Sequence, residues 1–423
     1  MIIFMYNLYL FLLIHFINFL NINFMNRKFV FAAVAAMFGS AMLTSCSNDD
    51  EVAGGSPVSP QSSAISYNFG FNGKATRGLG LVGADATDAA KIPNMQVWAY
   101  YAPDANGTGV TPGAQYIGVS ANEGITVTNL GGGSWKEDAQ YTAYWPALSA
   151  TLNFQAIAPA SDPSFSVANN VANKLAHMVA TVTVPENNSL QKDILMANAD
   201  KVTEESNSRK VQLNFKHVLS QVRFSVKTAS QQVSGEIKDI ALCNIKQKGT
   251  VGFQGEDAGT NEADWAVVLA SAEPDNLTAK TTYSIGMVGD GTFGVAEFTT
   301  AKDMTAADGS LLMLPQTTEK WATADGSAVT IAAADAAYNT YIKITCKIKN
   351  GNTYLLGGEG EDDFGYVYIP FKAEWEMGKK YIYTINIGTG KGGFDENGNP
   401  LIQPISYSVA VADWTNANSE VEL

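Results

Sequence analysis

Cys46 is the residue whose setting most directly names a reaction. It closes Leu43-Thr44-Ser45-Cys46, after Asn26-Arg27-Lys28 and an almost wholly apolar run from Phe29 to Met42. A basic start, a short apolar stretch and small residues before a cysteine make a signal segment that ends in a lipidation site. The chemistry is acylation: the cysteine becomes the first residue of the mature chain and carries acyl chains such as palmitate. The apolar run is shorter than the roughly 20 residues that a bilayer-spanning helix needs. The expected address is therefore outside the cytoplasm, tethered to a membrane through lipid. Residues 1–24 hold no Lys, Arg, Asp or Glu, and a complete signal begins afresh at Met25. We read 1–24 as translated upstream DNA and 25–45 as the signal peptide.

Other motifs with a chemical meaning fail on their surroundings. Gly78-Leu79-Gly80-Leu81-Val82-Gly83 spells a dinucleotide fingerprint, but Pro93 and a strand-like run follow where a helix would have to start. Asp395, Asn397 and Asn399 alternate like calcium ligands, yet an EF-hand needs Gly and Glu where Pro400 and Ser406 stand, so a tight turn is expected. Glu359, Glu361, Asp362 and Asp363 lie among glycines and read as a solvated loop. His177 and His217 are the histidines beyond Cys46, and His217 shares parity with Val211, Leu213 and Phe215, which turns it inward. Cys243 and Cys346 sit in strand-like sequence without metal spacing; a disulfide and two buried thiols both fit. The seven tryptophans read as core and strand-end packing. No catalytic residue, metal or cofactor is nominated, and the chain is expected not to be an enzyme.

The elements that must position these residues are strands. Ile65, Tyr67, Phe69 and Phe71 alternate with Ser66, Asn68 and Gly70. The same period recurs at Val211 to Phe215, at Ile342 to Ile348, at Tyr381 to Ile387 and at Tyr407 to Val411. Val222, Phe224 and Val226 take the opposite parity, which puts a bend near Val218 to Gln221. Gly, Asn, Asp and Pro fall between the runs, and long amphipathic helices are missing, a pattern of all-β sandwich. Residues 46–63, with an acidic start and then Gly, Ser and Pro, read as a flexible linker. Polar sequence over 186–210 marks the boundary between a first β-sandwich at 64–208 and a second at 209–423.

Charge narrows the partners. Arg27 and Lys28 leave with the signal, so 25 basic residues of the total 27 face all 41 acidic ones, a balance of −16. Such a chain is a poor partner for nucleic acid or for anionic membrane surfaces.

Several segments in order resemble the fimbrillin family of Bacteroidetes, subunits of type V pili and related surface lipoproteins. They are Ala75-Thr76-Arg77, Met95 to Tyr100, Tyr144-Trp145-Pro146, Leu152 to Ala156 and Ala158-Pro159. Asp193 to Ala197, Leu213 to Ser220, Leu314-Pro315-Gln316, Tyr381 to Ile387 and Val411 to Trp414 complete the set. The resemblance implies two transthyretin-like β-sandwiches in tandem. It also gives Ser47-Asn48-Asp49-Asp50-Glu51 the look of a signal for the outer face of the cell outer membrane.

The resemblance implies a mechanism as well. A protease cuts after an arginine near the N-terminus and frees the first strand. A terminal strand of another subunit then fills the groove by donor-strand exchange, and the fimbrium grows. Carried onto this chain, the cut falls between Arg77 and Gly78, and the exchanged strand presents Ile65, Tyr67, Phe69 and Phe71. The groove left behind would expose apolar surface and an unpaired edge, both repaired by strand addition. Beyond Trp414 only a short polar tail remains, so a C-terminal donor would be the strand from Ile405 to Trp414. The implied partners are other pilus subunits, the processing protease, the outer membrane through the lipid, and a host protein or glycan as receptor in cell adhesion. A monomeric surface lipoprotein that binds glycan is the alternative.

Overall fold

Alternating burial runs through the strands expected from the sequence. In Lys210–His217 the side chains of Val211, Leu213, Phe215 and His217 are buried, while Gln212, Asn214 and Lys216 are half-buried. A computed structural model describes residues 64–71, 92–102, 111, 113–138, 141–146, 150–172, 175–205, 210–252, 280–307, 309–318 and 330–414. All of these belong to one compact unit, 61–423.

The first part of the chain supplies β1 (Ser66–Phe71), β2 (Asn94–Tyr101), β3 (Gln115–Ile117), β4 (Ile125–Gly131), β5 (Ser134–Glu137) and β6 (Leu152–Ala158). β7 (Phe165–Ala172), β8 (Leu175–Thr183), β9 (Leu195–Val202) and β10 (Lys210–His217) follow. Eight of these form a sheet in the order β1-β10-β9-β6-β2-β4-β5, with β3 paired to β2. β1 runs parallel to β10, from Ser66 opposite Lys210 to Phe71 opposite Phe215.

The second part supplies β11 (Ser220–Thr228), β12 (Val233–Lys246), β13 (Lys248–Gly252), β14 (Lys280–Ser284), β15 (Thr292–Phe293), β16 (Lys302–Asp303) and β17 (Leu311–Met313). After the short helix α1 (Ile331–Ala336) come β18 (Tyr341–Asn350), β19 (Thr353–Leu356), β20 (Gly365–Pro370), β21 (Lys379–Phe394) and β22 (Pro400–Asp413). Eleven strands make the second sheet, through β14-β12-β18-β20-β21-β11-β16. β13 instead joins β8 and β7 in a three-stranded sheet. The parity change expected near Val218 to Gln221 is where the chain leaves the first sheet after His217 and enters the second at Ser220.

Among the described residues two large cores follow from these faces, with a smaller cluster around Cys243, Tyr341, Tyr368 and Phe394. Met95, Val97, Ala99, Phe154, Ala156, Leu213 and Phe215 fill the inside of the first sheet. The opposite face of its central strands is not left to water. Trp98, Tyr100, Ile157 and Met196 join Met178 and Val182 of β8 in the larger core of the second sheet. β2 is therefore buried on both faces, which explains its run of apolar residues without strict alternation. The whole is an all-β tandem of β-sandwiches, as the strand pattern predicted.

Candidate functional site and the place of the chain among known proteins

β1 is an end strand of its sheet, and the sheet's shape gives it a second set of contacts. The first sheet curls so that β5, at the other end of the strand order, meets β1 through side chains. Ile65 and Tyr67 are buried and Phe69 is half-buried. The Ile65 N–H donates to Ala143 O at 2.8 Å and fixes where the strand begins. The Tyr67 hydroxyl donates to Glu137 Oε1 at 2.8 Å, and its ring meets Phe154 edge-on at 6.4 Å. Phe69 lies flat between Trp135, at 5.2 Å and 11°, and Phe215, at 4.3 Å and 14°. Sequence reasoning picked out the strand from its period of two. It missed Trp135 and Glu137, whose clue was a lone tryptophan in the polar run Ser134-Trp135-Lys136-Glu137 directly after the glycine turn Gly131-Gly132-Gly133.

Glu137 holds two donors at once. Its Oε1 takes the Tyr67 hydroxyl, and its Oε2 takes the Ala143 N–H at 2.8 Å. Burial pushes the carboxyl above its usual value, and these two bonds pull it back. Burial, then the neighbouring Glu137, push the Tyr67 hydroxyl well above its ordinary value. The arrangement holds the chain's own β1 through apolar and ring contacts and one hydrogen bond from a tyrosine.

A second cluster sits where the two sheets meet. His217 Nδ1 lies 2.6 Å from Oδ2 of Asp193, a fully buried carboxyl that burial pushes above its usual pKa. The His217 ring is stacked on Trp414 at 4.1 Å and 11°. The inward turn of His217 was legible from parity; Asp193 and Trp414 as its neighbours were not.

The remaining residues singled out by sequence resolve as follows. Cys243 and Cys346 are free and buried, and pack into different apolar clusters. Burial pushes their thiols up to about 11 and about 12. The oxygens of Asp395 accept the N–H groups of Asn397 and Asn399 and the Asn399 side chain, closing a turn. The loop at Glu359 to Asp363 folds over Lys347, whose ammonium donates to the Gly360 and Glu361 carbonyls. Cys46, Arg77, Gly78 and the side chains of Phe71 and His177 lie outside the described residues.

These features define a class: a tandem β-sandwich whose first strand is seated at a sheet edge. The fimbrillin-like family model matches residues 86–414, and the chain belongs to that family. A fimbrial protein from Bacteroides vulgatus shares the fold, at 15% identity and a TM-score of 0.53, over 83% of this chain and 99% of that one. A cell adhesion protein from Bacteroides eggerthii aligns at 14% identity over 85% of this chain and 98% of its own, with a TM-score of 0.43. The tip fimbrial protein Mfa3 from Porphyromonas gingivalis aligns at 10% identity over 83% and 99%, with a TM-score of 0.33. No curated protein matches the chain.

Proposed function

We propose that this protein is a structural subunit of a cell-surface fimbrium that serves adhesion. In this reading it is exported as a lipoprotein through Cys46 and cut between Arg77 and Gly78. The first strand then leaves, and a strand of another subunit takes its place. Membership of the fimbrillin-like family and the fold shared with a fimbrial protein support the subunit role.

One observation carries the exchange. Ile65-Ser66-Tyr67-Asn68-Phe69-Gly70-Phe71 of β1 is echoed by Ile405-Ser406-Tyr407-Ser408-Val409-Ala410-Val411 of β22. The first three residues are the same, and the apolar period is the same throughout. In the groove, Ile405 takes the place of Ile65, Tyr407 brings a hydroxyl to Glu137, and Val409 enters between Trp135 and Phe215. Pro404 is compatible with the position of Ala64, because the bond to Ala143 O comes from the next residue. In its own subunit β22 leaves Val409 47% and Val411 45% exposed, so their apolar surface gains most from a new seat. For these two half-exposed valines the gain is on the order of 1.5–3 kcal/mol gross, about half of two full burials. The partner is thus a second copy of this chain or a subunit with the same strand.

Electron microscopy of surface fibres tests the reading, with wild-type protein and with Arg77→Ala. Fibres whose subunits begin at Gly78, lost in the variant, are the expected result. Fibre subunits beginning at Cys46 would overturn the cleavage, and absence of the chain from any fibre would overturn the subunit role. Ser408→Cys with Gln212→Cys tests the register, since Asn68 stands opposite Gln212. A disulfide-linked ladder is expected in fibres.

A further inference from the structure

We infer that β10 couples the two ends of the chain, so that β1 on its edge steadies the seat of Trp414 at its end. The inference rests on the proposed loss of β1 for its use in assembly; the coupling itself is a property of the intact fold.

The pairing of β10 is lopsided. Six of its residues, Lys210 to Phe215, pair with β1. Its ladder with β9 comprises two pairs, Lys216 with Met196 and His217 with Leu195. Those two pairs are where His217 is held. Its ring nitrogen meets the fully buried Asp193, and the next residue, Val218, donates its N–H to Ile194 O at 2.9 Å. The face of the His217 ring stacks on the indole of Trp414, with ring centroids 4.1 Å apart.

From there the contacts run into the C-terminal strand. Leu219 O accepts the Gly378 N–H at 3.0 Å, and Gly378 O accepts the Trp414 N–H at 2.7 Å. β22 ends there, beyond a nine-residue ladder with β21 that starts at the buried Ile405. It pairs with β21 from Ile405 to Asp413, but Ser408 to Val411 are exposed. Trp414, only 7% exposed, is the buried plug that closes the strand. Lys379 and Asp413 add an ion pair beside it at the surface.

Loss of β1 removes six paired residues from β10 and takes Phe69 off Phe215, two positions before His217. β10 then depends on its short ladder with β9 and on its apolar side chains. The seat of Trp414 loosens, and β22 becomes easier to release. Before the first strand goes, the last strand stays latched. Such coupling requires one element that both sites bias, and β10 is that element. It must also be reciprocal: unseating Trp414 must loosen β1 by the same factor.

Hydrogen exchange on the intact chain tests this from both ends. Phe69→Ala, and Tyr67→Ala with Phe69→Ala, are expected to speed exchange in 405–413 on the order of tenfold. β18, in the same sheet, keeps its protection. Trp414→Leu is expected to speed exchange in 66–71 by a similar factor, which a packing role confined to the second sheet would not do. Asp193→Asn gives a milder version if Trp414→Leu fails to fold. Unchanged β22 exchange in the β1 variants, or loss of protection spread equally over β18, overturns the coupling. Fibres play no part in the readout, so this failure and failure of the fimbrial reading are told apart.

Discussion

Tyr67 and Glu137 stand 70 residues apart in the chain, and their hydrogen bond of 2.8 Å ties the two ends of one sheet together. β1 and β5 are the end strands of the first sheet. Side chains, rather than a backbone ladder, join them. On its other side β1 is held by backbone, in a six-residue parallel ladder with β10.

The pair sets a pH dependence. Burial raises the Glu137 carboxyl above its usual value, against the pull of the Ala143 and Tyr67 bonds. A carboxyl with a raised folded pKa binds its proton more tightly in the native state. Its contribution to stability is therefore greatest below the ordinary glutamate value, near 4.5, and falls as pH rises through the folded value. Urea denaturation across that window should show stability falling with pH in the wild type and a flatter profile in Glu137→Gln.

Phe69 is the aromatic anchor of β1, between Trp135 and Phe215. A fully buried Phe→Ala change costs about 3–5 kcal/mol, and a half-buried one less. Phe69→Ala should lower stability by about 2 kcal/mol in urea denaturation. Val in its place should lose less, because it keeps part of the apolar surface.

Cys243 and Cys346 should be silent toward thiol reagents in the folded protein. Both are buried, and burial pushes their thiols up to about 11 and about 12. The thiolate is the reacting species and is scarce at pH 8. In a Cys46→Ser variant, alkylation should be negligible in buffer and should reach two groups per chain in denaturant.

Gly291 is a position where only glycine fits. Its φ is +69°, and an added Cβ would lie 1.9 Å from Ile237 O. The same turn accepts the Ile237 N–H at Gly291 O, 3.0 Å away. Gly291→Ala should cost more than the ~1 kcal/mol of a left-handed alanine alone, because backbone must move. Thermal denaturation should show a clear fall in Tm, whereas Gly351→Ala, with open space at its Cβ, should show a smaller one.

Much of the architecture was legible because β-structure writes itself locally. The period of two in β10, β18 and β21 marked the strands and their inward faces, and the parity change after His217 marked the passage between sheets. β22 shows the limit of that signal. Its alternation continues through Val409 and Val411, yet both are half-exposed, because burial depends on what lies opposite. The turn at Asp395 was readable because all its partners lie within four residues.

By itself, then, the sequence determined most of the strands and the inward faces of β10, β18 and β21, while the family resemblance nominated the first strand for removal. Tertiary structure alone decided that β1 runs along β10, that Glu137 reads Tyr67, and that Trp414 rests on His217 above Asp193. The physical reason is range. Alternation records which side of a strand avoids water, a property of neighbours in sequence. Which strand lies beside which, and which side chain closes a sheet, is settled by contacts between segments far apart in the chain, and these leave no periodic trace.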